Sequence, residues 1–174
     1  MDFENQNKET LEVYLSTEKT FSLSSKDILK LKQMAGHNPR RRIRFCSHLS
    51  TNELVHEMFI IHPKGSYIRP HKHIGKAESM LIIKGEVDYV IFNDSGDIKD
   101  IITMGDYQSD KCFYQSIQTN VYHSLIIKSE WLIFLEVTEG PFERIKTLYA
   151  SWSPDESDTK SVKIFMDYLK TSFP

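Results

Sequence analysis

The chain has 174 residues, 40% of them hydrophobic and 26% charged, with a net charge of −2. That is the size and composition of one globular domain with a full core. The near-neutral balance excludes a global pull toward nucleic acid or anionic lipid, and no run approaches the ~20 apolar residues of a membrane helix.

The first ten residues are polar and acidic, unlike a secretion signal. Cys46 and Cys112 stand in a chain large enough to fold without a disulfide. The expected setting is cytoplasmic, with both thiols reduced. Residues 11–15 are a candidate short strand. A helix follows, capped by Ser24 or Ser25, with Ile28, Leu31, Met34 and Ala35 inward and its end at Gly36. Asn38-Pro39 breaks it.

From about Arg40 to Thr138 the pattern changes to short apolar or β-branched runs, at 54–61, 66–69, 79–83, 87–92, 98–104, 112–117, 121–127 and 131–137. Turn residues separate them, and Asn93-Asp94-Ser95-Gly96 is a strong hairpin signal. Many short strands at this spacing predict an all-β barrel or sandwich. After Gly140-Pro141 the chain is irregular as far as Pro154. A last helix is capped near Ser157 or Asp158, with Val162, Phe165, Met166 and Leu169 on one face. The layout is an N-terminal extension with a helix (1–39), a β-barrel (40–140), and a C-terminal irregular segment with a helix (141–174).

The densest chemistry lies in residues 65–85. On a strand, His71 and His73 point to the same side, and Tyr67 and Arg69 share that parity. A turn at 74–77 delivers Glu78 beside the two imidazoles, a ligand set for a borderline first-row metal. A His-x-His pair alone is weak, and a structural histidine pair is the competing reading.

This segment resembles the first motif of the cupins, Gly-x5-His-x-His-x4-Glu-x6-Gly, at every defined position. The second cupin motif survives in part, in Ile117-Gln-Thr-Asn-Val-Tyr-His123. Gln118 stands where proline is expected and Asn120 where glycine is, although Asn tolerates a left-handed turn. The resemblance implies a double-stranded β-helix (jelly-roll) barrel. It also implies one divalent transition metal, iron, manganese, nickel, cobalt or zinc, on His71, His73, Glu78 and His123.

Several further stretches are similar to the WbuC-type cupin metalloproteins: Arg40-Arg-Arg-Ile-Arg-Phe-Cys-Ser-His48, His56-Glu-Met58, Lys76-Ala-Glu78, Glu136-x-Thr-x-Gly-Pro-Phe142 and Trp152-Ser-Pro-Asp-Glu156. That likeness covers roughly residues 21–156. It implies a link to surface-polysaccharide synthesis, a small-molecule ligand such as a sugar derivative, and a homodimer, for which the apolar face of the last helix offers a surface. That face could equally cover one end of its own barrel.

Arg69, read as pointing into the barrel, needs an anion, either on a substrate or on a protein carboxylate such as Glu136. Tyr67 is read as a hydroxyl donor to a ligand or as rim packing, and Lys76 as a phosphate contact or a solvated lysine. The basic run Arg40, Arg41, Arg42 and Arg44 either lines the site mouth or lies on a charged edge strand. His48 and His56 are read as core or supporting histidines rather than ligands. No nucleophile elbow, phosphate loop or Cys-x-x-Cys occurs, so any chemistry falls to the metal. Sugar isomerisation or epimerisation, oxygen activation on iron, and metal-dependent binding without catalysis all remain open.

Overall fold

In the computed structural model the chain is described at residue 3 and residues 6–172. Residues 1, 2, 4 and 5 of the polar N-terminal stretch lie outside the described residues, as do 173 and 174. In chain order the elements are β1 (Asn7–Lys8), β2 (Val13–Leu15), α1 (Ser25–His37), β3 (Ile43–Cys46), β4 (Val55–Pro63), β5 (His71–His73), β6 (Glu78–Lys84) and β7 (Glu86–Phe92). Then come β8 (Ile98–Gly105), β9 (Tyr114–Ile117), β10 (Tyr122–Ile127), β11 (Trp131–Glu139), β12 (Thr147–Tyr149) and α2 (Thr159–Thr171).

One sheet runs β1-β2-β3-β4-β11-β6-β9 and the other β12-β5-β10-β7-β8. The eight strands from β4 to β11 pair first with last and so inward, β4 with β11, β5 with β10, β6 with β9 and β7 with β8, and successive pairs fall in alternate sheets. That order is two Greek keys wound together, a jelly roll, and it is the fold the sequence resemblance implies. Side-chain alternation sorts each strand into an inner and an outer face. Met58, Ile60, Met80, Ile82, Leu132 and Phe134 of the first sheet meet Val87, Tyr89, Met104, Leu125 and Ile127 of the second in one core.

Each helix covers the outer face of one sheet. α1 begins with a capping box, in which Ser24 and Asp27 satisfy each other's backbone N–H groups. Its Leu31 and Ala35 pack with Ile43, Phe45, Ile61 and Ile133 on the first sheet. α2, capped by Asp158, lays Leu169 on Val90, Phe92 and Ile126 of the second. The apolar stripe of the last helix thus lies on the outer face of its own barrel and not over an open end. Among the described residues no helix is long and apolar enough to cross a membrane. Cys46 is buried and Cys112 exposed, and both are free.

Two expectations are corrected. Residues 66–70 form no strand, so the parity argument does not pass through them. Ile68 packs on the barrel core, while Tyr67 and Arg69 turn the other way, toward the C-terminal segment. Arg40 and Arg42 of the basic run pair with carboxylates rather than lining a mouth. Arg40 contacts Glu12 at 2.5 Å and Glu156 at 3.1 Å, and Arg42 contacts the same two carboxylates at 2.9 and 3.3 Å.

Candidate metal centre

Three strands, two adjacent in the second sheet and one in the first, supply the four expected ligands. His71 and His73 lie on β5, and β10 pairs with it so that His123 stands opposite His71. Glu78 opens β6. Backbone turns make these approaches possible. Gly85 makes the turn that carries the chain from β6 in the first sheet to β7 in the second at φ +102, where a Cβ would lie 2.4 Å from the Trp131 carbonyl oxygen. Asn120 takes φ +67 and its N–H donates to the His73 carbonyl at 2.9 Å. Asn therefore makes the turn for which the cupin motif uses glycine. Thr119 Oγ1 donates to the same carbonyl at 3.0 Å and accepts from Gly75 N–H at 2.6 Å, tying the two ligand turns together.

One donor atom from each of His71, His73, Glu78 and His123 can be chosen so that all four lie within 4.8 Å of one another. Donors at first-row bond lengths around one ion stand about 3 to 4.4 Å apart. The ring orientations fit the same point. His71 Nδ1 lies 2.9 Å from the Arg69 carbonyl and His123 Nδ1 3.0 Å from the Val121 carbonyl, which makes both nitrogens donors and leaves each Nε2 as the atom that can face an ion. His73 Nε2 is 2.9 Å from Glu78 Oε2, yet it is buried and makes no hydrogen bond. A buried imidazole nitrogen beside a carboxylate but without a hydrogen bond is what a shared cation would satisfy. The residues present fit a divalent transition metal.

The electrostatics of the cluster suit a cation. Burial, with His123 beside it, pushes the His71 imidazole down to about 3. Burial also opposes ionising Glu78, but His123 and His73 outweigh it and hold its carboxyl well below the usual range. Burial likewise opposes charging His123, and its contact with Glu78 outweighs that and raises it. Glu78 and His123 are buried whereas His71 and His73 are partly exposed, so the cluster opens on one side. Tyr89 stacks on His123 with centroids 5.5 Å apart and closes the other.

The three residues expected as substrate contacts are engaged with protein groups. The Tyr67 hydroxyl donates to the Pro154 carbonyl at 2.9 Å. Arg69 pairs with Asp155 at 2.6 Å, not with Glu136, and its guanidinium also lies over the Tyr149 ring. Lys76 is buried and donates to the Pro141 carbonyl. His48 and His56 are not ligands; they stack at 4.1 Å, both buried.

Two residues beside the cluster were not singled out as site residues from the sequence. Glu136 shares the inward parity of Leu132 and Phe134 on β11 and pairs across to Met80, next to the Glu78 row. Burial first, then the Glu78 charge, raises its carboxyl to about 7. Its place in the strand alternation, together with the Glu136-x-Thr-x-Gly-Pro-Phe142 stretch, is the sequence signal for it. Thr147 Oγ1 lies 3.3 Å from His73 Nδ1, a contact across 74 residues that no local pattern encodes.

Comparison with known proteins agrees with the fold. Residues 23–104 match a family described as a domain of unknown function, DUF6016. No curated protein matches. Protein SO0799 of Shewanella oneidensis superimposes with a TM-score of 0.53 at 9% identity, over 74% of this chain and 85% of that one. An RmlC-like cupin family protein with a double-stranded β-helix fold from Methanocaldococcus jannaschii gives 0.46 at 17% identity, over 71% and 91%. A mutant of the Bacillus subtilis oxalate decarboxylase OxdC gives 0.48 at 21% identity, over 62% of this chain. The chain spans about a quarter (27%) of that decarboxylase. At these identities the likeness is one of fold. The strand order carries the assignment, and by it this chain is a jelly-roll double-stranded β-helix with a three-histidine, one-glutamate cluster able to hold a metal ion.

Proposed function

We propose that this protein is a metal-dependent enzyme acting on a sugar or sugar-nucleotide derivative by isomerisation or epimerisation, in surface-polysaccharide metabolism. The observation that carries the reading is the cluster of His71, His73, Glu78 and His123, open on one side, with a carboxylate, Glu136, inside the barrel but outside the ligand set. The similarity to WbuC-type cupins supplies the substrate class. A divalent metal held there polarises a carbonyl or lowers the pKa of a bound hydroxyl.

The protein's own groups divide the remaining work. His71, His73, Glu78 and His123 hold the ion, with both braced Nδ1 atoms keeping Nε2 forward. Glu136 takes a proton from substrate within the barrel and returns it. The apolar lining from Met58, Met80 and Tyr89 excludes bulk water, which strengthens each of these interactions. A carboxylate able to accept a proton outside the metal ligands is the feature that separates an enzyme from a binder.

A second reading is a metal-dependent sugar-binding module without catalysis. It is favoured by the engagement of Tyr67 and Arg69 with Pro154 and Asp155, which occupies two expected substrate contacts with protein groups. The deciding experiment is elemental analysis of the purified protein and of His73→Ala, followed by isomerase screens with Glu136→Gln. Near-stoichiometric zinc, manganese, nickel or cobalt, lost in His73→Ala, supports the enzyme reading when turnover falls ~10²–10⁴-fold in Glu136→Gln. Sugar binding with no turnover selects the binding module. Near-stoichiometric iron with oxygen consumption replaces isomerisation by a dioxygenase, and absence of metal after reconstitution overturns the metal reading.

A further inference from the structure

The irregular C-terminal segment does more than lead to α2. Its strand β12 adds to β5 antiparallel, with Thr147 opposite His73 and Tyr149 opposite His71. The ladder is continued at both ends, by Ile74 N–H to the Lys146 carbonyl at 2.8 Å and by Ala150 N–H to the Pro70 carbonyl at 2.9 Å. β5 is three residues long and carries two of the four candidate ligands, so its position rests on the strands that flank it. On one side lies β10, which carries His123. On the other lies β12 alone.

The segment beyond β12 is fastened by side chains. Tyr67 and Arg69 hold Pro154 and Asp155. Trp152 packs against Phe92 at 5.1 Å and Tyr122 at 5.8 Å, and its Nε1–H donates to the Asp94 carbonyl at 3.2 Å. The residues read from the sequence as substrate contacts are in this way the anchors of the strand that abuts the metal cluster.

His71 and His123 have main-chain acceptors for Nδ1, each two residues upstream. At His73 that position is taken by the Thr147 hydroxyl, at 3.3 Å. A neutral imidazole carries its proton on the nitrogen that finds an acceptor, which leaves the other nitrogen as the metal donor. We propose that Thr147 is a positioning residue of the metal centre: its hydroxyl accepts from His73 Nδ1–H, fixes the tautomer that presents Nε2, and makes metal affinity depend on the docking of residues 147–155. This rests on the metal-binding reading above. By linkage, metal must then stabilise the docked segment by the same factor that docking adds to metal affinity.

The test uses the full chain, with zinc as the probe. Zinc affinity is measured by chelator competition in wild type, Thr147→Val and Thr147→Ser. The His73 tautomer is read by nitrogen-15 NMR in the metal-free proteins, and exchange of the Ala150 amide is followed with and without zinc. Thr147→Val is expected to bind zinc 10–100-fold more weakly and to lose the Nδ1–H preference at His73. Thr147→Ser, which keeps the hydroxyl, stays within about threefold of wild type. Zinc slows Ala150 exchange in wild type and less so in Thr147→Val. Unchanged affinity and tautomer in Thr147→Val overturn the proposal, as does a Thr147→Ser protein as weak as Thr147→Val. If wild type binds no zinc, the metal reading has failed, and the proposal falls with it. The NMR tautomer then still separates a hydroxyl that orients His73 from one that does not.

Discussion

Of the seven histidines, His62 gives the most direct test of how this barrel treats a buried titratable group. It lies at the end of β4, six residues beyond His56, and stacks on Phe134 with centroids 6.0 Å apart. Its Nδ1 has no hydrogen-bond partner. Burial, reinforced by Arg42, Arg44 and Arg40 and opposed by Glu12, pushes it from 6.5 down to about 3. The folded state therefore binds fewer protons than the unfolded state between those values, so its stability falls as the pH drops below 6.5 and levels off below about 3. At pH 5 the unfolded imidazole is almost fully charged and the folded one almost neutral, a loss of about 2 kcal/mol relative to pH 7.5. Below pH 3 the same group costs about 5 kcal/mol, a large share of the ~5–15 kcal/mol that a domain has.

The perturbation is His62→Leu, which fills the space without a titrating group, and the assay is urea unfolding at pH 7.5 and at pH 5.0. Between those pH values the wild type should lose about 2 kcal/mol more than the variant. Other groups titrate in the same window, including Glu136, but they are common to both proteins and cancel in the difference. Equal losses in the two proteins would refute the reasoning, because burial would then not be what keeps His62 neutral.

Two further outcomes are expected. Free metal at a hundredfold excess over Kd adds about 2.7 kcal/mol if only the folded chain binds it, or roughly 5–11 °C in Tm at this chain length. His123→Ala should show no such shift, and an equal shift in that variant would place the metal elsewhere. Gly85→Ala puts a Cβ 2.4 Å from the Trp131 carbonyl and 2.5 Å from Ser129 Oγ at φ +102. It should cost at least about 2 kcal/mol in urea unfolding, and a cost near zero would mean that the β6–β7 turn relaxes freely.

Features set by adjacent residues were legible in the sequence. The Asn93–Gly96 turn does join β7 to β8, whose pairing runs from Glu86↔Gly105 to Phe92↔Ile98. Ser24 does cap α1, and Asn120 does take the left-handed turn before His123. The four residues of the ligand set converge because two of them share one strand and the others open or follow a turn beside it. Features set by distant contacts were not legible. Residues 66–69 carry strand-like residues, yet Ser153, Pro154 and Asp155 capture Tyr67 and Arg69 from more than eighty residues away. Thr147 and Glu136 entered the site by the same kind of long-range pairing.

The strand order also governs how one copy of this chain meets another. A sheet edge with free N–H and C=O groups is a template for further strands, and the risk grows with its length and flatness. Here the edges of the first sheet are β1, with two residues, and β9, with four; one edge of the second is β12, with three. Only β8 is long, at eight residues. It carries exposed Lys99 and Asp100, and its pairing with β7 is broken by a register shift between Ile91 and Phe92. Charge and irregularity at that position hinder addition of a foreign strand, so the barrel carries its own protection against fibrillar association.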